Sequence, residues 1–178
     1  GISQANSASI GGTVTLVATN DAATVTFADT SSTFHGLAVQ TDKGVTVNAG
    51  VHTDTTSLML NGDADSTSDS ADTVAFGNAV TMSSGALLTL AAKTGSITAA
   101  GALTLLAKDG IMIQDTFTAG SGALVINSDS DSNAAAATAG VLTMQTGKAM
   151  TNTDQAVTIT AYDIDLDGTL NTGTGATT

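Results

Sequence analysis

Short stretches of alternating apolar and polar residues recur along the whole chain. Clear examples are TVTLVA from Thr13, ATVTF from Ala23 and LTLLA from Leu103, in which apolar residues occupy every second position. A period of two places successive side chains on opposite faces of a β-strand, so each stretch predicts a strand with one buried face. Glycine, asparagine and aspartate separate the stretches, as expected for tight turns. The pattern therefore predicts an all-β fold.

One segment of the chain occurs twice. The first copy spans positions 37–66 and the second spans positions 103–132, and the same offset holds throughout without a gap. Among the matched pairs are Gly44 with Gly110 and Leu58 with Leu124. Repeats of this kind are typical of solenoids, whose stacked units bury one continuous core. We therefore expect the two copies to occupy equivalent places, related by translation along one axis.

Strands of the form apolar-x-apolar begin at positions 87, 102, 123, 141 and 156. We interpret each interval as one coil of a parallel β-solenoid, with roughly 15–21 residues per coil and roughly 69 residues per four-coil repeat. At the usual distance between strands, four coils rise ~19 Å. The expected organisation is a single solenoid segment over positions 1–178, with internal repeats at 12–84, 85–154 and, in part, 155–178.

The alternation also predicts which side chains face the core. The expected core residues are Leu88, Leu90, Leu103, Leu105, Ile111, Ile113, Leu124, Ile126, Leu142, Met144, Val157 and Ile159. Threonines on the alternate positions are expected to form outward ladders, where cross-strand threonine pairs are favourable. The methionines Met59, Met82, Met112, Met144 and Met150 are expected to fill the core where aromatic residues are scarce.

Two other folds compete with the solenoid. An antiparallel sandwich or barrel also contains many short strands, and the Asn61-Gly62 and Asp109-Gly110 pairs would suit hairpin turns. The solenoid is favoured because the repeat requires no hairpin. A helical fold fits worst, since the only run that favours a helix, AAAATAG at 134–140, is too short to be stable alone.

Composition and charge narrow the possible functions. The net charge is −12, with four lysines and no arginine, so the chain lacks the cations that would neutralise nucleic-acid phosphates. The absence of cysteine excludes a disulfide scaffold and thiolate metal sites. No apolar run approaches the ~20 residues of a membrane-spanning helix. The acidic balance instead suits solubility and the binding of cations.

Two acidic turns carry the candidate metal ligands. The sequences NGDADSTSD and NSDSDSN place oxygen-bearing side chains at alternate positions, a spacing that calcium-binding loops use to surround a hard cation. The candidate ligands are Asn61, Asp63, Asp65 and Asp69 in the first turn, and Asn127, Asp129, Asp131 and Asn133 in the second. Both turns lack the glycine and the bidentate glutamate of an EF-hand. Calcium is the one cofactor that the sequence suggests, and a solvated corner that keeps a rod soluble is the alternative.

Other candidate residues point away from catalysis. In YDIDLDG, which begins at Tyr162, Ile164 and Leu166 alternate with aspartates, so this run predicts a strand with an acidic outer face. His35 and His52 stand outside any spaced ligand pair and are expected on the surface. The chain contains no GxSxG elbow and no GxGxxG phosphate loop. We therefore do not expect an enzyme, and a carbohydrate-active β-helix enzyme is disfavoured because so few basic residues are present.

Patterns such as GALLTLAAKTGSITAAGALTL and AVTITAYDIDLDGTL resemble the repeats of filamentous-haemagglutinin-like and other giant secreted β-solenoid proteins. The resemblance covers roughly positions 12–173. It implies a right-handed parallel β-helix that serves as a secreted or surface-displayed rod, in adhesion or in filament building. It carries no catalytic residues to this chain.

Together these observations predict a structural, extracellular or cell-surface repeat protein that forms a rod, fibre or filament. Because no capping element is visible at either end, we expect a segment of something longer, or copies that associate end to end. The alternative is an adhesin or glycan-binding stalk whose outward loops contact cell-surface glycans. Neither a nucleic acid nor insertion into a membrane is expected.

Overall fold

The computed structural model describes residues 7, 9–68, 70–133 and 139–178, so most of the run that favours a helix lies outside the described residues. The described residues contain twenty β-strands. In chain order the strands are β1 (Thr13–Ala18), β2 (Val25–Phe27), β3 (Ser32–Phe34), β4 (Gly36–Thr41), β5 (Val45–Val47), β6 (Val51–Thr53), β7 (Leu58–Asn61), β8 (Val74–Phe76), β9 (Val80–Ser84), β10 (Leu88–Ala91), β11 (Ile97–Ala99), β12 (Leu103–Ala107), β13 (Gly110–Ile113), β14 (Phe117–Ala119), β15 (Leu124–Asn127), β16 (Val141–Met144), β17 (Ala149–Asn152), β18 (Val157–Thr160), β19 (Asp163–Leu166) and β20 (Thr169–Asn171).

The strands form three sheets, and consecutive strands visit the three sheets in turn. Sheet A has the order β1-β4-β7-β10-β13-β16-β19, sheet B has the order β2-β5-β8-β11-β14-β17-β20, and sheet C has the order β3-β6-β9-β12-β15-β18. Neighbouring strands in each sheet are parallel. The all-β, parallel β-solenoid prediction is confirmed, and the antiparallel alternative is wrong. Right-handed winding stays a prediction.

The predicted coil length is wrong, because a coil contains three strands and, of the predicted intervals, only that from 102 to 123 spans all three. Along sheet A, Val14 pairs with Leu37, Leu37 with Leu58, and Leu58 with Leu88, so each of these intervals is one complete coil. The expectation of four coils per repeat is wrong for the same reason. The strand starts that give the predicted spacing belong to β10, β12, β15, β16 and β18. The strands between them, β11, β13, β14 and β17, do not enter that spacing.

The two copies of the sequence repeat share local structure, but they are not related by the expected translation. The first copy contains β4 to β7 and the second contains β12 to β15, eight strands further on, which is two and two-thirds coils. Leu58 consequently lies on sheet A and Leu124 on sheet C, so the expected pure translation is wrong and a rotation accompanies it. Gly44 and Gly110 nevertheless share a positive φ, of 109° and 126° respectively.

The rotated repeat has a physical basis in the similarity of the three faces. On each face there are strands, such as β5, β10 and β12, that bury aliphatic residues and show threonine outward, so a strand-turn unit fits any of the three faces. The two copies also share turn hydrogen bonds and a positive φ at Ser66 and Ser132, although they lie on different sheets. A sequence repeat in a solenoid therefore indicates which segments share local structure, but it does not give the number of coils between them.

Of the two complete repeats that the sequence predicts, only the first contains a whole number of coils. Positions 12–84 contain the nine strands β1 to β9, which are three whole coils. Positions 85–154 contain only the eight strands β10 to β17, and the segment that begins at 155 therefore enters sheet C first. Sequence similarity thus follows the strand-turn unit rather than the complete coil.

The core is a stack of inward-facing apolar side chains that runs along the solenoid axis. Every predicted core residue is buried except Ile159, which is partly exposed. Ile159 lies on β18, which is followed on sheet C only by the short pairing of Val157 with Thr177. Met82, Met144 and Met150 are buried as expected. The prediction is wrong for Met59 and Met112, which alternate with buried neighbours and lie half-buried on the outer face of sheet A.

Outward threonines form ladders, as the alternation predicts. On sheet B, Thr98 pairs with Thr118, and Thr118 pairs with Thr151 in the next coil. Near the other end of the same sheet, Thr26 pairs with Thr46. Cross-strand threonine pairs of this kind stabilise a sheet by up to about 1 kcal/mol each relative to alanine pairs.

We predict that Gly44→Ala destabilises the solenoid. Gly44 has a φ of +109°, and a Cβ atom placed there would lie 2.5 Å from the carbonyl oxygen of Ala71 in the next coil. The strained backbone and the clash should together cost on the order of 1–3 kcal/mol of unfolding free energy, measured by urea denaturation. Gly12→Ala is the matched control, since nothing lies within 4 Å of its Cβ position. Equal stability of the two variants would contradict the assigned corner geometry.

Candidate functional site

The two acidic turns are the longest connections between described strands, and they lie at different corners. The loop 62–73 joins β7 to β8, at a corner between sheets A and B. The loop 128–140 joins β15 to β16, at a corner between sheets C and A. The two candidate metal sites are therefore separate and do not stack on one another.

Both loops begin with the same hydrogen-bonded turns. Asn61 Oδ1 accepts a hydrogen bond from the Asp63 N–H at 3.0 Å, and Asn127 Oδ1 accepts one from the Asp129 N–H at 3.1 Å. Asp65 Oδ1 accepts from the Thr67 N–H at 3.0 Å, and this bond lowers the pKa of Asp65 below its ordinary value. In the second loop, Asp131 Oδ1 accepts from the Asn133 N–H at 3.2 Å. Four of the predicted metal ligands thus already accept a hydrogen bond from within their own loop.

Asp63 and Asp129, at matching positions of the two loops, differ from the other candidates. Each has a buried Oδ1 atom with no hydrogen-bond partner among the described residues. Asp63 is 2% exposed, and its other oxygen, Oδ2, accepts a hydrogen bond of 2.6 Å from the Thr94 N–H in the next coil. Buried polar atoms normally have a partner, so each of these oxygens is an unsatisfied acceptor.

The structure brings the candidate ligands together only in part. Within the described residues, no three aspartate or histidine side chains converge closely enough to hold a metal ion. Asp69 lies outside the described residues. A calcium ion bound here would therefore take most of its ligands from backbone carbonyls, side-chain amides and water, which calcium accepts. Calcium binding stays a prediction, now centred on Asp63 and Asp129.

We predict that calcium raises the melting temperature of the chelated protein. A ligand that binds only the folded state stabilises it by about 2.7 kcal/mol at a concentration of 100 times its Kd. Asp63→Asn should reduce the shift, because the amide retains an acceptor for Thr94 but loses the charge. Asp163→Asn, on an exposed strand, is the control and should leave the shift unchanged. Identical melting in calcium and in chelator would rule the site out.

Aspartates at the corners also connect neighbouring coils, a role that the sequence does not indicate. Asp42 Oδ2 accepts a hydrogen bond of 2.7 Å from the Ala22 N–H, and Asp115 Oδ2 accepts one of 2.7 Å from the Ala92 N–H. Asp154 Oδ1 accepts two bonds from Thr174, from its N–H and then its hydroxyl, and they lower the pKa of Asp154. A lone corner aspartate resembles any solvated turn residue in the sequence, so no signal distinguishes these three.

A lysine completes one of these connections. Lys148 Nζ lies 2.6 Å from Asp115 Oδ1, and the Asp115 side chain is only 6% exposed. Asp115 therefore accepts from the coil before it through Oδ2 and from the coil after it through Oδ1. Three successive coils are joined through one carboxylate.

We predict that Lys148→Met destabilises the fold, because it leaves the buried Asp115 Oδ1 without its donor. Loss of a charge-assisted hydrogen bond to a buried group should cost about 1–3 kcal/mol in urea denaturation. The control is Lys108→Met at an exposed corner, for which a change within about 0.5 kcal/mol is expected. Equal effects of the two substitutions would argue against a connecting role for the pair.

The histidines and the last acidic strand lie where the sequence places them. His35 is partly exposed, with Nδ1 3.8 Å from Asp54 Oδ1. His52 is half-buried on the outer face of sheet C, and this burial lowers its pKa. In β19, Asp163 and Asp165 alternate with Ile164 and Leu166, as predicted.

A groove lies at the corner between sheets A and B, and the sequence does not predict it. Its volume is about 400 Å³, and it crosses the coils of β7, β10, β13 and β16. The groove is lined by Asn61, Asp63, Ala64, Ser66, Ala91, Lys93, Gln114, Asp115, Gln145 and Lys148. Half of the chain's lysines therefore line this one groove.

No helix among the described residues is long and apolar enough to cross a membrane. Comparison with protein families, with curated proteins and with solved structures found no match. The resemblance to filamentous-haemagglutinin-like repeats therefore stays a prediction.

Proposed function

We propose that this chain is a section of a structural, extracellular or cell-surface rod whose solenoid continues end to end. The observation that carries this proposal is the exposure of inward-facing apolar side chains on the last sheet A strand. Ile164 is 48% exposed and Leu166 is 36% exposed. Their partners one coil earlier, Leu142 and Met144, are fully buried. A further coil stacked on β19 would cover Ile164 and Leu166, as β19 covers Leu142 and Met144.

The other end of the solenoid is similar on two of its three sheets. Val14 and Leu16 of β1 are only partly buried, whereas their partners Leu37 and Val39 are buried. Phe27 of β2 is also partly buried. On sheet C the first strand is already covered, and the Ser7 hydroxyl donates a 3.0 Å hydrogen bond to the Thr33 carbonyl. Sheets A and B would therefore carry an end-to-end contact.

The two ends match in chemistry. Stacking β1 of one copy on β19 of another would bring Val14 and Leu16 over Ile164 and Leu166 if the register continued. Outward threonines of β1 would then lie beside the outward aspartates of β19, so no like charges would meet. Parallel strands would gain a full set of backbone hydrogen bonds, which exposed edge strands otherwise lack. Extracellular location rests on the family resemblance alone.

We predict that Ile164→Lys prevents end-to-end assembly, because it places a charge at an inward position of the terminal contact. The measurement is the particle length distribution in electron micrographs and the sedimentation coefficient over a range of concentrations. Thr143→Lys is the charge-matched control, since Thr143 faces outward on the preceding strand of sheet A. A monomer at all concentrations for the unmodified chain would refute self-assembly.

A second candidate function is an adhesin or glycan-binding stalk, and the polar groove between sheets A and B favours it. The groove lies on the side of the rod, where end-to-end continuation would leave it open to solvent. The two candidates are compatible, because one uses the ends and the other uses a corner.

A further inference from the structure

The groove exists because one column of side chains has a gap. At the edge of sheet A, Gln40 pairs with Asn61, and Asn61 pairs with Ala91. The column continues with Gln114 and Gln145, whose N–H groups donate to the carbonyls of the preceding coils at 3.0 Å. From Gln40 to Gln145, every position but one in this column has a side-chain amide. Ala91 is too small to fill its place, and the floor of the groove lies there.

The first residues of the long loop 62–73, Asp63, Ala64 and Ser66, form one wall of the groove. The backbone there is held in place at both neighbouring coils, since the Gly62 N–H donates to the Ala91 carbonyl at 2.9 Å and the Ala64 N–H donates to the Thr41 carbonyl at 2.8 Å. Lys148 closes the other end, where Asp115 holds its ammonium group. The groove therefore has fixed walls and follows the rod axis over three interstrand steps, ~14 Å.

The charges in the groove exclude two classes of ligand. Lys93 and Lys148 balance Asp63 and Asp115, so the lining is neutral in a chain of net charge −12. The ammonium groups of Lys93 and Lys148 would repel a cation that lay along the groove beside them, so the calcium site predicted at the Asp63 turn would not extend into the groove. An extended polyanion would lie against the Asp63 carboxylate and would find only one lysine of the lining, Lys93, outside the described ion pairs.

The remaining groups suit a ligand that both donates and accepts hydrogen bonds. Asp63 lines the groove, and its buried Oδ1 has no donor among the described residues, while Lys93 is exposed and offers donors. The amides of Gln114 and Gln145 supply both functions. A chain of neutral sugars presents hydroxyl groups of this dual character at short intervals along its length.

An adjoining concavity of about 270 Å³ extends the groove over the outer face of sheet A. It shares Gln114 and Gln145 with the groove and adds Met112, which faces outward on β13. The methionine side chain is apolar and adaptable, and that of Met112 could cover the C–H face of a sugar ring. A peptide would require several side-chain pockets along its strand, which this polar lining does not provide.

We infer that the groove binds a neutral oligosaccharide, with Gln114 and Gln145 between two sugar subsites. The inference rests on the second candidate function, which it deepens, and it does not depend on assembly of the rod. The test therefore uses the full chain with Ile164→Lys, so that a failure to assemble and a failure to bind are separate results.

The probes are cellotetraose, maltotetraose and chitotetraose, with tetragalacturonate as an anionic comparison, measured by saturation-transfer NMR and calorimetry. At least one neutral probe should bind with a Kd on the order of 1 mM or tighter. Ala91→Gln, which fills the gap, and Gln114→Ala, which removes an amide, should each weaken binding about tenfold or more. Gln40→Ala, in the same column but outside the groove, is the matched control and should bind as the parent does.

Three outcomes would overturn the inference. The first is that none of the neutral probes binds, and the second is that only tetragalacturonate binds. The third is that binding is unchanged in both Ala91→Gln and Gln114→Ala. Because Gln114→Ala removes atoms from a partly exposed side chain, it keeps the test valid even if Ala91→Gln does not fold.

Discussion

Each interior strand of this solenoid finds its hydrogen-bond partners in the coils before and after it, and every other feature depends on that constraint. Register must be kept on three faces at once, because inward residues such as Leu58 and Leu88 must align to close the core. Coil length is free as long as register is kept. The interval from Leu37 to Leu58 is the shortest coil on sheet A, and the interval from Ile111 to Leu142 is the longest. Extra residues therefore collect at corners, where the described parts of the loops 62–73 and 128–140 lie outside the ladders.

The same constraint explains what can be predicted from the sequence. Alternation identifies a strand and its buried face from a few residues, so it assigns Leu105 and Ile113 to the core correctly. Closure of a coil has no such local signal, because Gly, Asn and Asp mark turns within a coil and between coils alike. Strands as short as β11 and β14 contain a single apolar-x-apolar pair and escape detection. The coil predicted from spacing is consequently shorter than the real one.

The candidate sites are predictable only where they depend on one segment. The acidic loops can be found because their oxygens are close in sequence and their hydrogen-bonded turns are local. The burial of Asp63 cannot be found, because it depends on Thr94 in the next coil. The groove is harder still to predict from the sequence. Nothing in the sequence around Ala91 shows that register places this residue between Asn61 and Gln114.

Charge then decides which surfaces of the rod remain available. Carboxylates buried at the corners, such as Asp42 and Asp115, are held by backbone N–H groups or by Lys148, while most of the others face solvent. With a net charge of −12, two rods that approach side by side repel one another. The ends differ, because the apolar side chains of β19 are uncovered there and its aspartates point away from the stacking direction. In the proposed rod, repulsion along the sides and open apolar ladders at the ends would both favour growth along the axis, and the groove would stay exposed on its corner.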